Sequence, residues 1–235
     1  LEKSPYVASS LICMYAKCGV LTKAQQVLEE LPIRSVVCWN ALISGYIQQG
    51  NGHSALKCFK RMHSEGISPD VVTFISILKA LGSIGASEMG RKIHAEIVNR
   101  GFLEGNLVLG TALVDMYAKC GLLPRAEQVF EELPIRDIVA WSALIAGYVQ
   151  HERSHEALHC FEKMQREGLS PNTITFVSLL KACATSGMSK TGKEIHDDIL
   201  NRGFLGKDIV IGNALVDMYA KCGELIKAQE VLEQL

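Results

Sequence analysis

The stretch LVDMYAKCG occupies residues 113–121 and recurs letter for letter at residues 215–223, and a near copy, LICMYAKCG, occupies residues 11–19. Successive methionines of these copies, Met14, Met116 and Met218, stand 102 residues apart. The echo continues outward. CWNALISGY from Cys38 matches AWSALIAGY from Ala140, GISPD from Gly66 matches GLSPN from Gly168, and KIHAEIVNRGF from Lys92 matches EIHDDILNRGF from Glu194, all at the same 102-residue offset. A fixed internal period is the signature of a repeat array, and it governs the reading of every other motif.

Each 102-residue block divides into thirds with one grammar: an apolar-periodic run, a short turn, a second such run, then Gly or Pro. Trp39, Leu42, Ile43 and Tyr46 recur at helical spacing, as do Leu56, Phe59 and Met62. Gly66 is placed to end a helix, and Pro69 prevents its continuation. Thr22 with Gln25 reads as a capping box, Pro124 as a first-turn proline, Ser87 and Ser189 as N-caps, and Gly101 and Gly203 as helix stops. No strand pattern occurs. The expected fold is all-α, a right-handed superhelical solenoid of helix-turn-helix repeats, because one helical pair cannot bury both of its apolar faces alone.

Composition narrows the function classes. Of 235 residues 48% are hydrophobic, yet no run is apolar enough to span a membrane. The formal net charge of −1 gives no support to non-specific nucleic-acid binding. The chain begins at Leu1, without Met, and reads as a segment of a longer protein. Its eight cysteines form no Cys-x-x-Cys, and Cys18, Cys120 and Cys222 are one position of the recurring string; they read as small buried side chains in a reducing compartment.

Two motifs imitate sites. HEALH at residues 155–159 fits His-Glu-x-x-His, whose chemistry needs both histidines on zinc and Glu156 as base, but the sister repeat has HSALK at residues 53–57. GMSKTGKE at residues 187–194 resembles a phosphate-binding loop, but Glu194 stands where the magnesium hydroxyl belongs, no strand precedes it, and its counterpart is GASEMGRK at residues 85–92. A helix surface and a turn entering a helix explain both. No nucleophilic triad stands out, so the segment reads as non-catalytic, without metal or cofactor.

A tetratricopeptide repeat would need Gly where Ile43 stands. The strings MYAKCG, VVCWNALISGY, GISPDVVTF and GRKIHAEI instead resemble pentatricopeptide repeats of the plant P-L-S type, and the resemblance covers essentially the whole chain. On that family's boundaries one array spans the chain: S 5–35, P 36–70, L 71–106, S 107–137, P 138–172, L 173–208 and a truncated S 209–235. Lengths of 31, 35 and 36 account for the 102-residue period.

The resemblance implies that first helices line a groove in which each repeat addresses one base of single-stranded RNA through its fifth and last residues, directly or through water. It pairs Asn40 with Asp70 for U, Thr111 with Asp137 for G, and Ser142 with Asn172 for A. Ser9 with Ser35 has no clear assignment, and Asn213 suggests a pyrimidine. The L repeats carry Ile75 with Asn106 and Val177 with Asp208, and an aliphatic fifth residue offers a base no hydrogen bond. Second residues Val37, Val72, Val108, Val139, Ile174 and Val210 would clasp bases, and Lys17, Lys119 and Lys221 would meet phosphates. The expected target, 5′ to 3′, is n-U-n-G-A-n-Y, where n is uncoded and Y a pyrimidine. By the same resemblance the parent protein is a plastid or mitochondrial C-to-U editing factor with a C-terminal deaminase-like domain, whose zinc signature is absent from this chain. The alternative is a protein-binding scaffold whose L repeats engage editing-cofactor proteins. Self-association through the truncated end, where Val231 and Leu232 lack a following repeat, is a further expectation.

Overall fold

The computed structural model describes the backbone of residues 5–235 and side chains from Val7 onward. Among the described residues stand fourteen α-helices and no strand. In chain order they are α1 (Pro5–Lys17), α2 (Leu21–Glu29), α3 (Val36–Gln48), α4 (Gly52–Ser64), α5 (Val71–Ile84), α6 (Ser87–Asn99), α7 (Leu107–Lys119), α8 (Leu123–Glu132), α9 (Ile138–Gln150), α10 (Ser154–Arg166), α11 (Thr173–Ser186), α12 (Ser189–Asn201), α13 (Ile209–Lys221) and α14 (Leu225–Glu233). The chain divides into two compact units, Leu1–Leu122 and Leu123–Leu235. In the first, α1, α3, α5 and α7 pack side by side in chain order, with α2, α4 and α6 each wedged behind two of them. In the second, α9, α11 and α13 pack likewise, with α8, α10, α12 and α14 behind.

The two layers differ in composition because they differ in burial. Helix α5 is flanked by helices on several sides and buries Phe74, Ile77, Leu78 and Leu81 together with Thr73 and Ser76. Helix α4 buries a single stripe, Gly52, Ala55, Phe59 and Met62, and turns its charges outward.

The recurring MYAKCG string is explained residue by residue. Met116 and Met218 press against Gly90 and Gly192, where an added Cβ would lie 2.5 Å from either sulfur. Tyr117 and Tyr219 make 2.9 Å hydrogen bonds to Nδ1 of His94 and His196. Ala16 abuts Gly45, where a Cβ would approach the alanine methyl to 2.6 Å. The closing glycine of each copy takes a left-handed φ, +78° at Gly19, which lets the next N–H bond the tyrosine carbonyl five residues back. The string is thus a helix end, its packing notch and its turn.

Several local expectations are corrected. Thr22 and Gln25 form no capping box: α2 already begins at Leu21, its N-cap is Val20, and Gln25 bonds Glu29 and Tyr46. Ser87 and Ser189 are first helical residues behind caps Ala86 and Met188, which make no side-chain cap bond. In each case the glycine turn is so tight that the polar residue is already helical. Gly66, Gly101 and Gly203 do end helices with positive φ. Cys18 is exposed, and Cys120 and Cys222 are half-buried, because each lies at or next to its helix end; Cys38, Cys160 and Cys183 are the buried thiols. Val231 is buried, while Leu232, Leu225 and Ile226 are exposed. Of HEALH, Glu156 is held by Arg153 and His159 faces Glu162, and no group of three or more metal-ligating side chains forms among the described residues. Gly187 is a left-handed cap ahead of α12, as the turn reading requires.

Candidate nucleic-acid interface

Every first helix from α3 to α13 is entered through an N-cap whose side chain accepts a backbone N–H: Ser35, Asp70, Asn106, Asp137, Asn172 and Asp208 in turn. These are the six last residues singled out from the sequence. Ser, Asp and Asn are all strong caps, so the position can change its hydrogen-bonding character without losing its structural task.

The fifth residues sit just above the caps. In the first unit, Asn40 donates from Nδ2 to Asp70 Oδ1 at 3.0 Å, and its Oδ1 accepts the Thr73 hydroxyl at 2.7 Å. Asp70 Oδ1 also accepts the Thr73 backbone N–H at 2.8 Å, and the Asp70 N–H donates to the Thr73 hydroxyl at 3.2 Å. Burial tends to raise the Asp70 pKa, but the bonds from Thr73 and Asn40 outweigh it and hold the carboxyl below its usual range. The second unit repeats the arrangement. Ser142 lies 2.8 Å from the Thr175 hydroxyl and 3.3 Å from Asn172 Oδ1, and it donates to the Ile138 carbonyl at 2.6 Å. Asn172 Oδ1 accepts the Thr175 N–H at 2.9 Å and lies 3.0 Å from its hydroxyl.

These caps therefore differ in the side-chain atom that is not drawn to the helix. With one oxygen of each drawn to the helix, Asp70 keeps a second carboxylate oxygen, an acceptor, whereas Asn172 keeps its amide nitrogen, a donor. Ser9 and Ser35 both approach Cys38 Sγ, at 3.1 and 3.3 Å, so a thiol takes the threonine's place there. Thr111 is buried on α7 in the first unit, and Asp137 caps α9 in the second through bonds from Val139 and Ala140. Asn213 is exposed on α13. Ile75 and Val177 are half-buried. Asp208 accepts from the Thr173 hydroxyl at 2.6 Å, a bond that lowers its pKa.

Beside these groups, Val37, Val72, Val108, Val139, Ile174 and Val210 are each between 53% and 63% exposed. Six branched aliphatic side chains left open at one register position cannot be assigned to the core.

The sequence profile described as the PPR repeat family matches residues 34–83 and 136–185, and that described as the PPR repeat matches residues 6–36, 111–138, 174–204 and 213–235. The chain belongs to the pentatricopeptide repeat family. It is 38% identical over 233 residues to the chloroplastic pentatricopeptide repeat-containing protein At5g55740 of Arabidopsis thaliana, covering 99% of this chain and 28% of that one. It is 34% identical over 235 residues to the mitochondrial At1g06140 of the same plant, covering 100% of this chain and 42% of that one. The chain thus spans well under half the length of these relatives. In fold it is similar to the pentatricopeptide repeat protein PPR10 from maize, with a TM-score of 0.76 at 24% identity over 99% of this chain and 34% of that one. PPR10 has also been solved in complex with an 18-nt psaJ RNA element, and that structure matches with a TM-score of 0.75 at 24% identity, covering all of this chain and 35% of that one.

The lysines of the pentatricopeptide array divide into two kinds. Lys119 and Lys221 are paired with Asp115 and Asp217 one turn back on their own helices, at 2.7 and 2.8 Å, and Gly82 packs against the Lys119 stem. Lys17 has Cys13 in place of that aspartate and is exposed. Sequence reading overlooked Lys79 and Lys181. Both are exposed and lie one turn beyond Ile75 and Val177, on the face that carries Val72 and Ile174. It also overlooked Thr73 and Thr175, wholly buried and bonded to both members of a predicted base-reading pair. The signal was present, since the two threonines share the 102-residue offset and follow their caps by three residues.

Proposed function

We propose that this chain binds single-stranded RNA with one base per repeat, as the address segment of an organellar C-to-U editing factor of the P-L-S subfamily. The observation that carries the reading is the joint geometry of fifth and last residues. Asn40 with Asp70, and Ser142 with Asn172, are tied together in a register that also carries an exposed aliphatic side chain, and the two caps differ in the atom not drawn to the helix, an acceptor at Asp70 and a donor at Asn172. An acceptor at Asp70 suits the N–H of U, directly or through water. A donor at Asn172 suits the acceptor nitrogens of A. The RNA held by PPR10, which has this fold, supports the same ligand class. Relatives named chloroplastic or mitochondrial support an organellar setting.

In this reading the L repeats hold the strand without reading it. Ile75 and Val177 offer no hydrogen bond, while Lys79 and Lys181, exposed on the same face, offer cations to phosphate. The test is a competition between a single strand carrying U-n-G-A and the same strand annealed to its complement. Duplex formation hides the base edges that Asn40, Thr111 and Ser142 need. The single strand should bind at least tenfold tighter; equal affinity contradicts base reading.

A further inference from the structure

The buried threonine behind the first P repeat has a consequence for which pyrimidine that repeat accepts. An asparagine amide presents a donor and an acceptor side by side, and turning it over exchanges them. Uracil and cytosine differ in the same sense: uracil presents an acceptor at O4 and a donor at N3, cytosine a donor at N4 and an acceptor at N3. An amide free to turn over therefore matches either base. An amide held in one orientation matches one.

Asn40 is held at both ends. Its Nδ2 faces Asp70 Oδ1 at 3.0 Å, and an ionised carboxylate accepts only. Its Oδ1 faces the Thr73 hydroxyl at 2.7 Å. That hydroxyl receives the Asp70 N–H at 3.2 Å, and its single proton is shared between Asn40 Oδ1 and Asp70 Oδ1, the latter at 2.8 Å, so it holds the Asn40 amide either directly or through the carboxylate oxygen that the amide itself bonds. Thr73 is wholly buried and Asn40 is 8% exposed, so water cannot readily replace either partner.

We propose that Thr73 is a positioning residue that fixes the Asn40 amide and thereby makes the second repeat select U over C. The proposal rests on the RNA-binding reading above. It gives the L repeat that contributes Thr73 a part in reading the base of the repeat before it. The sister site sharpens the claim. Asn172 is oriented by the Thr175 backbone N–H at 2.9 Å, which no side-chain change removes, and Ser142 is pinned by the Ile138 carbonyl at 2.6 Å. Thr175 has the same burial and register as Thr73, and its hydroxyl lies 3.0 Å from Asn172 Oδ1, but the backbone N–H holds that oxygen without it.

The experiment is a competition titration of the 235-residue chain with four RNAs that differ only at the base facing the second repeat. Thr73→Val keeps the shape and removes the hydroxyl. Thr73→Ser restores the donor. Thr73→Cys supplies a weaker one, in a register where Cys38 already stands. Thr175→Val is the matched control. The unaltered chain should prefer U over C. Thr73→Val should reduce that preference about fivefold, the worth of one neutral hydrogen bond, while purines remain rejected. Thr73→Ser should restore it, Thr73→Cys should fall between, and Thr175→Val should leave base choice unchanged. Should Thr73→Val fold poorly, the Ser and Cys variants still decide. The proposal is overturned if Thr73→Val and Thr73→Cys keep the full preference for U over C, or if they weaken all four RNAs equally alongside a lowered melting temperature. If the unaltered chain itself shows no preference at this base, the RNA reading falls and the proposal with it.

Discussion

Replacing Asn40 by Ser and Asp70 by Asn together should move the second base from U to A and leave every other base alone. The new pair copies Ser142 and Asn172, and Thr73 already stands where Thr175 stands. The incoming serine can bond the Val36 carbonyl as Ser142 bonds that of Ile138 at 2.6 Å, and the incoming Asn can accept the Thr73 N–H as Asn172 accepts that of Thr175. Asn and Asp are equivalent helix caps. The change removes the bonds of Asn40 to Asp70 and Thr73 and adds those that Ser142 makes to the helix carbonyl and to Thr175, so stability should shift by less than about 1 kcal/mol. The cap atom not drawn to the helix changes from a carboxylate oxygen to an amide nitrogen, exchanging an acceptor for a donor. A correct direct contact is worth about 1–3 kcal/mol, by analogy with base readout in DNA, or roughly ten- to hundredfold. Competition titrations with RNAs varied at one position at a time read this directly. If the double variant weakens all RNAs alike, Asn40 and Asp70 serve the repeat's structure and do not read the base.

Three further outcomes follow from the same geometry. Lys79→Gln with Lys181→Gln should flatten the plot of log affinity against log salt by about 1.4, two single-strand phosphates' worth, without changing base preference; an unchanged slope would remove both lysines from the interface. Asp70 titrates below its ordinary value of 3.8 in the folded chain, so its bonds stabilise above that pH and are lost as pH falls through the depressed value. Thermal melts of Asp70→Asn and the unaltered chain should therefore converge on acidification below about pH 4, and a constant gap would contradict the hydrogen-bonded carboxylate. Gly45→Ala places a methyl 2.6 Å from that of Ala16 and should cost about 1–3 kcal/mol in urea unfolding, whereas a neutral result would mean that α1 and α3 can separate.

The helices were legible because apolar residues recur at helical spacing and because one period repeats the same hairpins. The local structure at the candidate positions was partly legible too: last residues fall at N-caps, and the second residues are exposed. The errors concentrate where local patterns compete. Thr22 and Ser87 have cap chemistry, but Gly19 and Gly85 close their turns so tightly that Leu21 and Ser87 are already helical. The carboxylates that claim Lys119 and Lys221 are on the page of the sequence at helical spacing; their contacts depend on rotamers that spacing alone does not set. Thr73 was missed for another reason. Its partner Asn40 is 33 residues away, and no local rule joins a helix's third residue to the preceding repeat.

The central claim is that successive repeats read successive bases, and selection of bound RNAs from a random pool tests it without assuming a target. The account predicts enrichment of n-U-n-G-A-n-Y read 5′ to 3′, with U, G and A at fixed spacing and no preference at the positions facing the L repeats. Enrichment without positional register, or of structured stems, would contradict it.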